Sequence, residues 1–247
     1  MSPAPDNHNK NIPPTGMRES HTAHEKLVQE LNDPTLRSQY AAKYDRYRPM
    51  LIPRILGWLL VTAGTIVYGK KPSYGKFKAV EVIARIPYQS WEVAAYTLLT
   101  GFYGDEARAI KLAKTSAFSR QAQDNETMHV VVITQIAKKL RCTGFFRHTL
   151  IPLLFAFFYF WTIYLLYMVS RRAALELNFL FESHAYDQYS KFLVSDGERL
   201  RDTPILSDFL AFYGRECRSE YEFFESVRND ELIHRNRSIR ELESRDS

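Results

Sequence analysis

The chain has 247 residues, with 33 Lys and Arg against 28 Asp and Glu and a formal charge of +5, a length that holds one good-sized core. Its 10 glycines speak against an all-β chain of many tight turns and for long helices. No dense Lys/Arg run with interleaved aromatics occurs, which sets nucleic acid aside, and two isolated cysteines, Cys142 and Cys217, exclude a disulfide framework and a thiolate zinc site.

Residues 1–25 read as an extended polar tail, without the apolar stretch of a secretory signal or the Arg-rich pattern of a transit peptide. If ordered, such a tail needs something outside the core to hold it. Residues 26–75 form an N-terminal helical region. A short amphipathic helix over 24–31 breaks at Asn32-Asp33-Pro34, and a Tyr-rich helix covers 35–47. Segment 55–68 is apolar all round but spans only about four turns, short of the ~20 residues that cross a bilayer. Arg54, Lys70 and Lys71 bound it, so it fits the headgroup layer or the underside of other helices.

Residues 76–247 read as a bundle with helices over 76–101, 105–141, 150–196 and 205–244. Within it, 150–169 carries no charge and is flanked by Arg147, Arg171 and Arg172. Hydropathy alone would let this segment span a membrane. Its polar neighbours must share one aqueous bundle, however, so partial burial in a single leaflet is preferred.

Two Glu-x-x-His motifs carry the chemistry: Glu126 with His129, and Glu231 with His234. On a helix, i and i+3 share a face, so one metal can take both groups. Such a motif is weak alone and gains weight from its context. Lone glutamates Glu92 and Glu182 stand in largely apolar helical faces, where an unpaired carboxylate is costly and a binuclear cation removes the cost. The order Glu, ExxH, Glu, ExxH is that of a ferritin-like di-iron bundle. The fold expected is therefore all-α: a four-helix di-iron bundle with additional apolar, membrane-associated helices. Asn125 and Asp230 each lie four residues before a histidine and could orient its ring. Carboxylate oxygens with two imidazoles suit iron or manganese better than zinc.

On these strings the chain resembles the alternative oxidases, membrane-bound di-iron quinol oxidases of mitochondria and plastids. Asn125-Glu126-Thr127-Met128-His129 matches the family's NERMH, and Arg228-Asn229-Asp230-Glu231-Leu232-Ile233-His234 its RADEAHH. Phe181-Glu182-Ser183-His184-Ala185 matches LEEEA more loosely, and Trp91-Glu92-Val93-Ala94-Ala95 matches LETVA. The resemblance implies two iron ions on Glu92, Glu126, His129, Glu182, Glu231 and His234. It also implies a lipid-borne quinol as reductant, dioxygen reduced to water, and Tyr189 as a catalytic source of an electron and a proton. Monotopic attachment to the matrix face of the mitochondrial inner membrane, with a plastid membrane as the less favoured site, and a homodimer follow in the same way.

Departures cluster where the quinol would bind. The family arginine five residues before the first ligand glutamate falls on Pro87 in this alignment. Trp91, Phe181, His184 and Ala185 complete the expected pocket, with His184 on the far side of its helix from Glu182. Three readings follow: a quinol oxidase, an oxidase-derived structural subunit of a larger respiratory assembly, and a di-iron hydroxylase of a lipid or quinone precursor. The altered pocket and the polar tail favour the second, while Tyr189 and the two ExxH strings disfavour the third.

Overall fold

The computed structural model describes residues 16–243, with side chains from His21 onward. Ten helices follow in order: α1 Gly16–Glu30, α2 Pro34–Ala42, α3 Leu51–Tyr68, α4 Tyr74–Ala84, α5 Ile86–Thr100, α6 Glu106–Lys139, α7 Ile151–Val169, α8 Arg171–Arg201, α9 Asp208–Tyr213 and α10 Glu220–Glu243. A short π-helical turn, Phe146–Leu150, leads into α7. Among the described residues no strand forms beyond an isolated bridge between Pro204 and Ser219. The all-α bundle expected from the motifs is the architecture found. Helix α1 starts inside the stretch expected to be an extended tail, and residues 1–15 of that tail lie outside the described residues.

Three expected helices are each divided, for local reasons. The 76–101 helix breaks at Arg85, because Pro87 has no N–H to give and its ring crowds the carbonyl four residues back. Helix α5 then restarts with Pro87 in its first turn, where the missing donor costs nothing. The 150–196 helix breaks at Ser170, which is extended (φ −149°) and whose hydroxyl accepts the Ala173 N–H at 3.2 Å. The apolar α7 can thereby turn away from the polar α8. In the last stretch, Gly214 takes a left-handed φ of 92° and ends α9 before α10 begins. Gly197, just past the expected helix end at 196, sits inside α8, which runs on to Arg201.

The bundle is formed by α4 with α5, α6, α8 and α10; α8 and α10 pack most extensively, and α6 lies along α4 and α5. Two apolar bands cross it. One holds Phe77, Met128, Val132, Tyr189, Phe192, Phe224 and Val227, and the other Tyr88, Trp91, Phe118, Tyr159, Ile163 and Leu175. Buried glutamates and histidines occupy the layer between these bands. Helices α1 and α2 lie against the outside of α10, with Val28 and Leu31 on Leu232 and Ile233.

Helices α3 and α7 sit on the flank with large side chains facing outward, among them Trp58, Ile66, Phe158 and Trp161. Leu51–Tyr68 and Phe146–Val169 are long and apolar enough to cross a membrane by length and composition, and little of either is buried. The first starts four residues earlier than the sequence suggested. Gly57 sets its approach to α8, since a Cβ there would meet Leu180 at 3.3 Å.

Candidate metal centre and apolar groove

Four helices bring carboxylates and imidazoles into the buried layer. Glu81 comes from α4, Glu126 and His129 from α6, Glu182 from α8, and Glu231 and His234 from α10. Two sets of four groups could each hold an ion: Glu81, Glu126, His129 and Glu231, and Glu126, Glu182, Glu231 and His234, with donor atoms within 4.8 Å of one another in each set. Glu126 and Glu231 belong to both, which is the arrangement of two neighbouring ions with shared carboxylates. Glu126 lies between the histidines, 2.9 Å from His234 Nδ1 and 3.4 Å from His129 Nδ1.

The expectation for Glu92 is corrected. Its carboxylate lies outside this cluster, near the surface of α5, where it accepts from Arg120 at 2.8 Å and Gln123 at 2.6 Å. Glu81 stands in its stead. The two are eleven residues apart, about three helical turns, so they share a helical face and no periodicity separates them. Pairing across the hairpin does. The α5–α6 turn centres near residue 103, so the position opposite Glu126 lies about as far before it, near residue 80. The string Val80-Glu81-Val82-Ile83-Ala84 also fits LETVA better than the one around Glu92.

The supporting groups are also exchanged. Asp230 does not serve His234, as its spacing suggested, but accepts from His129 Nε2 at 2.8 Å across the bundle. Being acceptor-only, it fixes the N–H on Nε2 and leaves Nδ1 facing Glu81, Glu126 and Glu231. Asp230 also accepts from Arg215 and pairs with His24 of α1 at 2.8 Å, and Arg215 binds Glu25 at 2.6 Å. Asn125 donates to Tyr213 at 3.1 Å rather than accepting from His129. Glu182 accepts from Tyr88 at 2.7 Å and Asn178 at 3.1 Å. Sequence reasoning passed over Glu81, Tyr88, His24, Arg215 and Asn178. Of these, only Glu81 left a signal, in the hairpin register.

The electrostatics describe a site that wants a cation. Burial raises Glu182, and burial together with neighbouring carboxylates raises Glu231 well above the ordinary range. Glu81 is pushed up to about 7, chiefly by burial. For His129 burial opposes the charge, but Asp230 and Glu126 outweigh it and raise the imidazole well above its usual value. Burial likewise works against Glu126, which the two imidazoles nevertheless hold down at about 2. Neither oxygen of Glu126 or Glu231, nor Oε2 of Glu182, has a well-formed hydrogen bond, although the imidazoles of His129 and His234 stand within ion-pair reach of Glu126 and that of His129 within reach of Glu231. Leaving so many buried acceptors unmatched is expensive. Two divalent cations among them would satisfy all of these oxygens, so the residues present fit a binuclear metal.

An apolar groove runs from the flank to this centre, between α3, α4, α7 and α8. Thr65, Tyr68, Ile151 and Phe155 line its outer part, and Phe77, Val80 and Tyr189 its inner part. Phe181, His184 and Ala185 line it, whereas Pro87 and Trp91 do not; both are buried on α5, Trp91 within the opposite apolar band. Tyr189 is fully buried, donates to Glu81 and stacks on Phe77 at 4.2 Å. Burial and the adjoining carboxylates raise its phenol well above the usual value, which keeps the proton on it. With Glu81 as first ligand, the position five residues earlier is Lys76, not Pro87. Lys76 is buried beside the groove and donates to Gln188 at 2.7 Å and to the Gly69 carbonyl at 3.1 Å.

A helical bundle with two overlapping carboxylate–imidazole sets, beside an apolar groove, defines a di-iron-type carboxylate protein. The sequence profile of the alternative oxidase family matches residues 70–241, most of the chain, and the chain belongs to that family. It is 28% identical over 141 residues to ubiquinol oxidase 4, chloroplastic/chromoplastic, of Arabidopsis thaliana. That stretch covers 57% of this chain and 37% of the relative, so the chain spans well under half of that protein. No solved structure matches the chain.

Proposed function

We propose that this chain is a quinol oxidase that reduces dioxygen to water, with two irons held by Glu81, Glu126, His129, Glu182, Glu231 and His234. One observation carries the reading: the carboxylates of Glu81, Glu126, Glu182 and Glu231 gather in one buried cluster, and Tyr189, which lines an apolar groove, donates its hydroxyl to Glu81 of that cluster. Bound iron supplies the one-electron steps that dioxygen chemistry requires. Tyr189, hydrogen-bonded to Glu81, sits between groove and carboxylates, where it can hand on a proton and an electron. A quinol tail fits the apolar part of the groove, while Lys76, His184 and Gln188 are the nitrogen-bearing side chains along its walls. Lys76 Nζ can donate to a head-group oxygen, and the His184 imidazole can accept from its hydroxyl.

The outward apolar faces of α3 and α7 support monotopic attachment in one leaflet. Our placement is the matrix face of the mitochondrial inner membrane; the relative's name puts that protein in chloroplast or chromoplast, and organelle fractionation separates the two. The alternative of an oxidase-derived structural subunit leaned on Pro87 at the head group and on the polar tail. Pro87 does not line the groove, and residues 1–15 lie outside the described residues, so neither supports that alternative. A homodimer is the assembly we expect, and native electrophoresis distinguishes it from a larger complex.

The test is quinol-dependent oxygen uptake by the purified chain in liposomes, with bound iron measured on the same sample. Two irons per chain with uptake that survives cyanide supports the oxidase. Iron without turnover overturns it in favour of a structural subunit.

A further inference from the structure

The two ends of the apolar helices differ in charge. The C-terminus of α3 meets the N-terminus of α7: Arg147 donates to the Val67 carbonyl, and Tyr68 donates to the Arg147 carbonyl at 2.8 Å. Gly75 draws in the loop before α7, since a Cβ there would lie 3.0 Å from His148 and 3.1 Å from the Cys142 carbonyl. Two loops are thereby held side by side, residues 69–73 and 140–149. Exposed at this end are Lys70, Lys71, Lys138, Lys139, Arg141 and Arg147. Neither 69–80 nor 138–150 contains an Asp or Glu, and the ion pairs found among the described residues involve none of these six cations. Phe145 and Phe146 stand outward among them, 65% and 72% exposed.

At the other end of the same helices, cations are mixed with acids. Arg171 pairs with Glu241, Arg172 with Glu176 and Arg235 with Asp45, while Arg46, Arg48 and Arg54 are exposed nearby. Tyr44 there donates to Glu243. A protein that needed only solubility would not leave six cations unpaired on one side of an apolar flank. Outward phenylalanines among them are equally out of place in water, and suit the depth of lipid headgroups.

We propose that this cationic collar, Lys70, Lys71, Lys138, Lys139, Arg141 and Arg147 around Phe145 and Phe146, docks on the phosphates of anionic lipids. It rests on the reading of α3 and α7 as lying in a leaflet, and adds which end of them selects the lipid. The outer part of the groove, at Thr65, Tyr68 and Ile151, opens beside the collar. Anchoring this end therefore holds the groove mouth at the depth from which a lipid-borne substrate enters.

The experiment is flotation of the full chain, diluted from detergent, with vesicles of phosphatidylcholine alone or with about one third phosphatidylglycerol. Both bind through the apolar helices. The anionic vesicles bind roughly a hundredfold tighter at low salt, and the advantage shrinks towards ~1 M salt, where the screening length is about 3 Å. A variant carrying Lys70→Ser, Lys71→Ser, Lys138→Ser and Lys139→Ser loses the advantage, yet keeps its neutral-vesicle binding and its helical circular dichroism. Arg46→Ser with Arg54→Ser at the opposite end leaves most of it. Equal binding of the two vesicles by the wild type overturns the collar, as does an advantage that survives in the fourfold variant or is lost equally in the Arg46/Arg54 pair. Failure to bind either vesicle overturns the leaflet reading of α3 and α7, and the collar with it.

Discussion

Glu81 and Glu92 have the same side chain and a spacing of eleven residues that would put them on one face of an unbroken helix, yet Glu81 lies on α4 and Glu92 on α5, beyond the break at Arg85, and their surroundings have nothing in common. Glu81 is 1% exposed, meets His129 at 3.3 Å and receives the Tyr189 hydroxyl. Glu92 keeps 20% of its side chain in solvent and is neutralised by the Arg120 guanidinium. Charge satisfied by a nearby arginine needs no ion; charge buried among other carboxylates does. What brings a glutamate into the buried cluster is the level along the bundle at which its helix presents the carboxylate.

The sharpest way to break that comparison is to remove each glutamate in turn. Glu81→Ala should abolish quinol-dependent oxygen uptake and reduce bound iron below two per chain. Glu92→Ala should leave both within about twofold, because an exposed pair is worth about 1 kcal/mol or less. Iron analysis with oxygen electrode traces on the two variants decides it. Iron loss in the Glu92 variant with retention in the Glu81 variant would sink the assignment made here.

The second test uses proton linkage. Glu81 has its folded pKa raised from 4.5 to about 7 by burial, and Glu182 and Glu231 are raised as well. A carboxyl raised on folding binds more protons folded than unfolded, so its stability is fully present below 4.5 and is lost as pH climbs to 7. For Glu81 alone the loss is about 3 kcal/mol, since each pKa unit is about 1.4 kcal/mol. The metal-free chain should therefore melt at a higher temperature at pH 5 than at pH 7.5. Iron reverses the trend, because its binding displaces those protons and strengthens as pH rises. Thermal melts of chelated and iron-loaded samples at both pH values check it. A metal-free chain that gains stability up to pH 7.5 contradicts the buried-carboxylate picture.

Much of this was legible in the sequence, and the part that was not has a physical reason. Glu126, His129, Glu231 and His234 announce themselves because a carboxylate and an imidazole at i and i+3 must share a face whatever the tertiary packing. Glu182 could be found because its apolar neighbours make a bare carboxylate costly. Glu81 could not be separated from Glu92 by periodicity, and the choice of Glu92 put Pro87 and Trp91, which do not line the groove, into the expected pocket. The partners of the histidines were illegible for a different reason. Asp230 reaches His129 on another helix, and a contact across the bundle leaves no local spacing to read.

Within the cluster itself, His24 sharpens the comparison from the outside. Through Asp230 it helps hold His129 Nε2, while Glu25 steadies Arg215 on the same carboxylate. Glu92 has no such connection. His24→Ala should weaken iron binding by about tenfold, the lower end of what supporting groups contribute to metal sites. Competition with a chelator measures it, and the helical circular dichroism should be unchanged. An unaltered iron affinity would mean that Arg215 alone positions Asp230.

The smallest effect concerns the head group, and it follows from moving the first ligand to Glu81. If the groove holds a quinol, Lys76 is the cation that meets its oxygen. Its ammonium is buried and its pKa lowered by that burial, with carbonyl and amide oxygens as partners rather than a carboxylate. An uncommitted charge of this kind can turn to a ligand without breaking an ion pair. Lys76→Met keeps the length and apolar stem of the side chain and removes its donors, so the KM for quinol should rise by several-fold to about tenfold with iron content unchanged. Pro87→Ala, which is not in the groove lining, should leave KM alone and act on the α4–α5 break. If the proline variant shifts KM and the lysine variant does not, the groove between α4 and α8 is not where the quinol binds, and Glu81 would hold metal beside an empty hydrophobic seam.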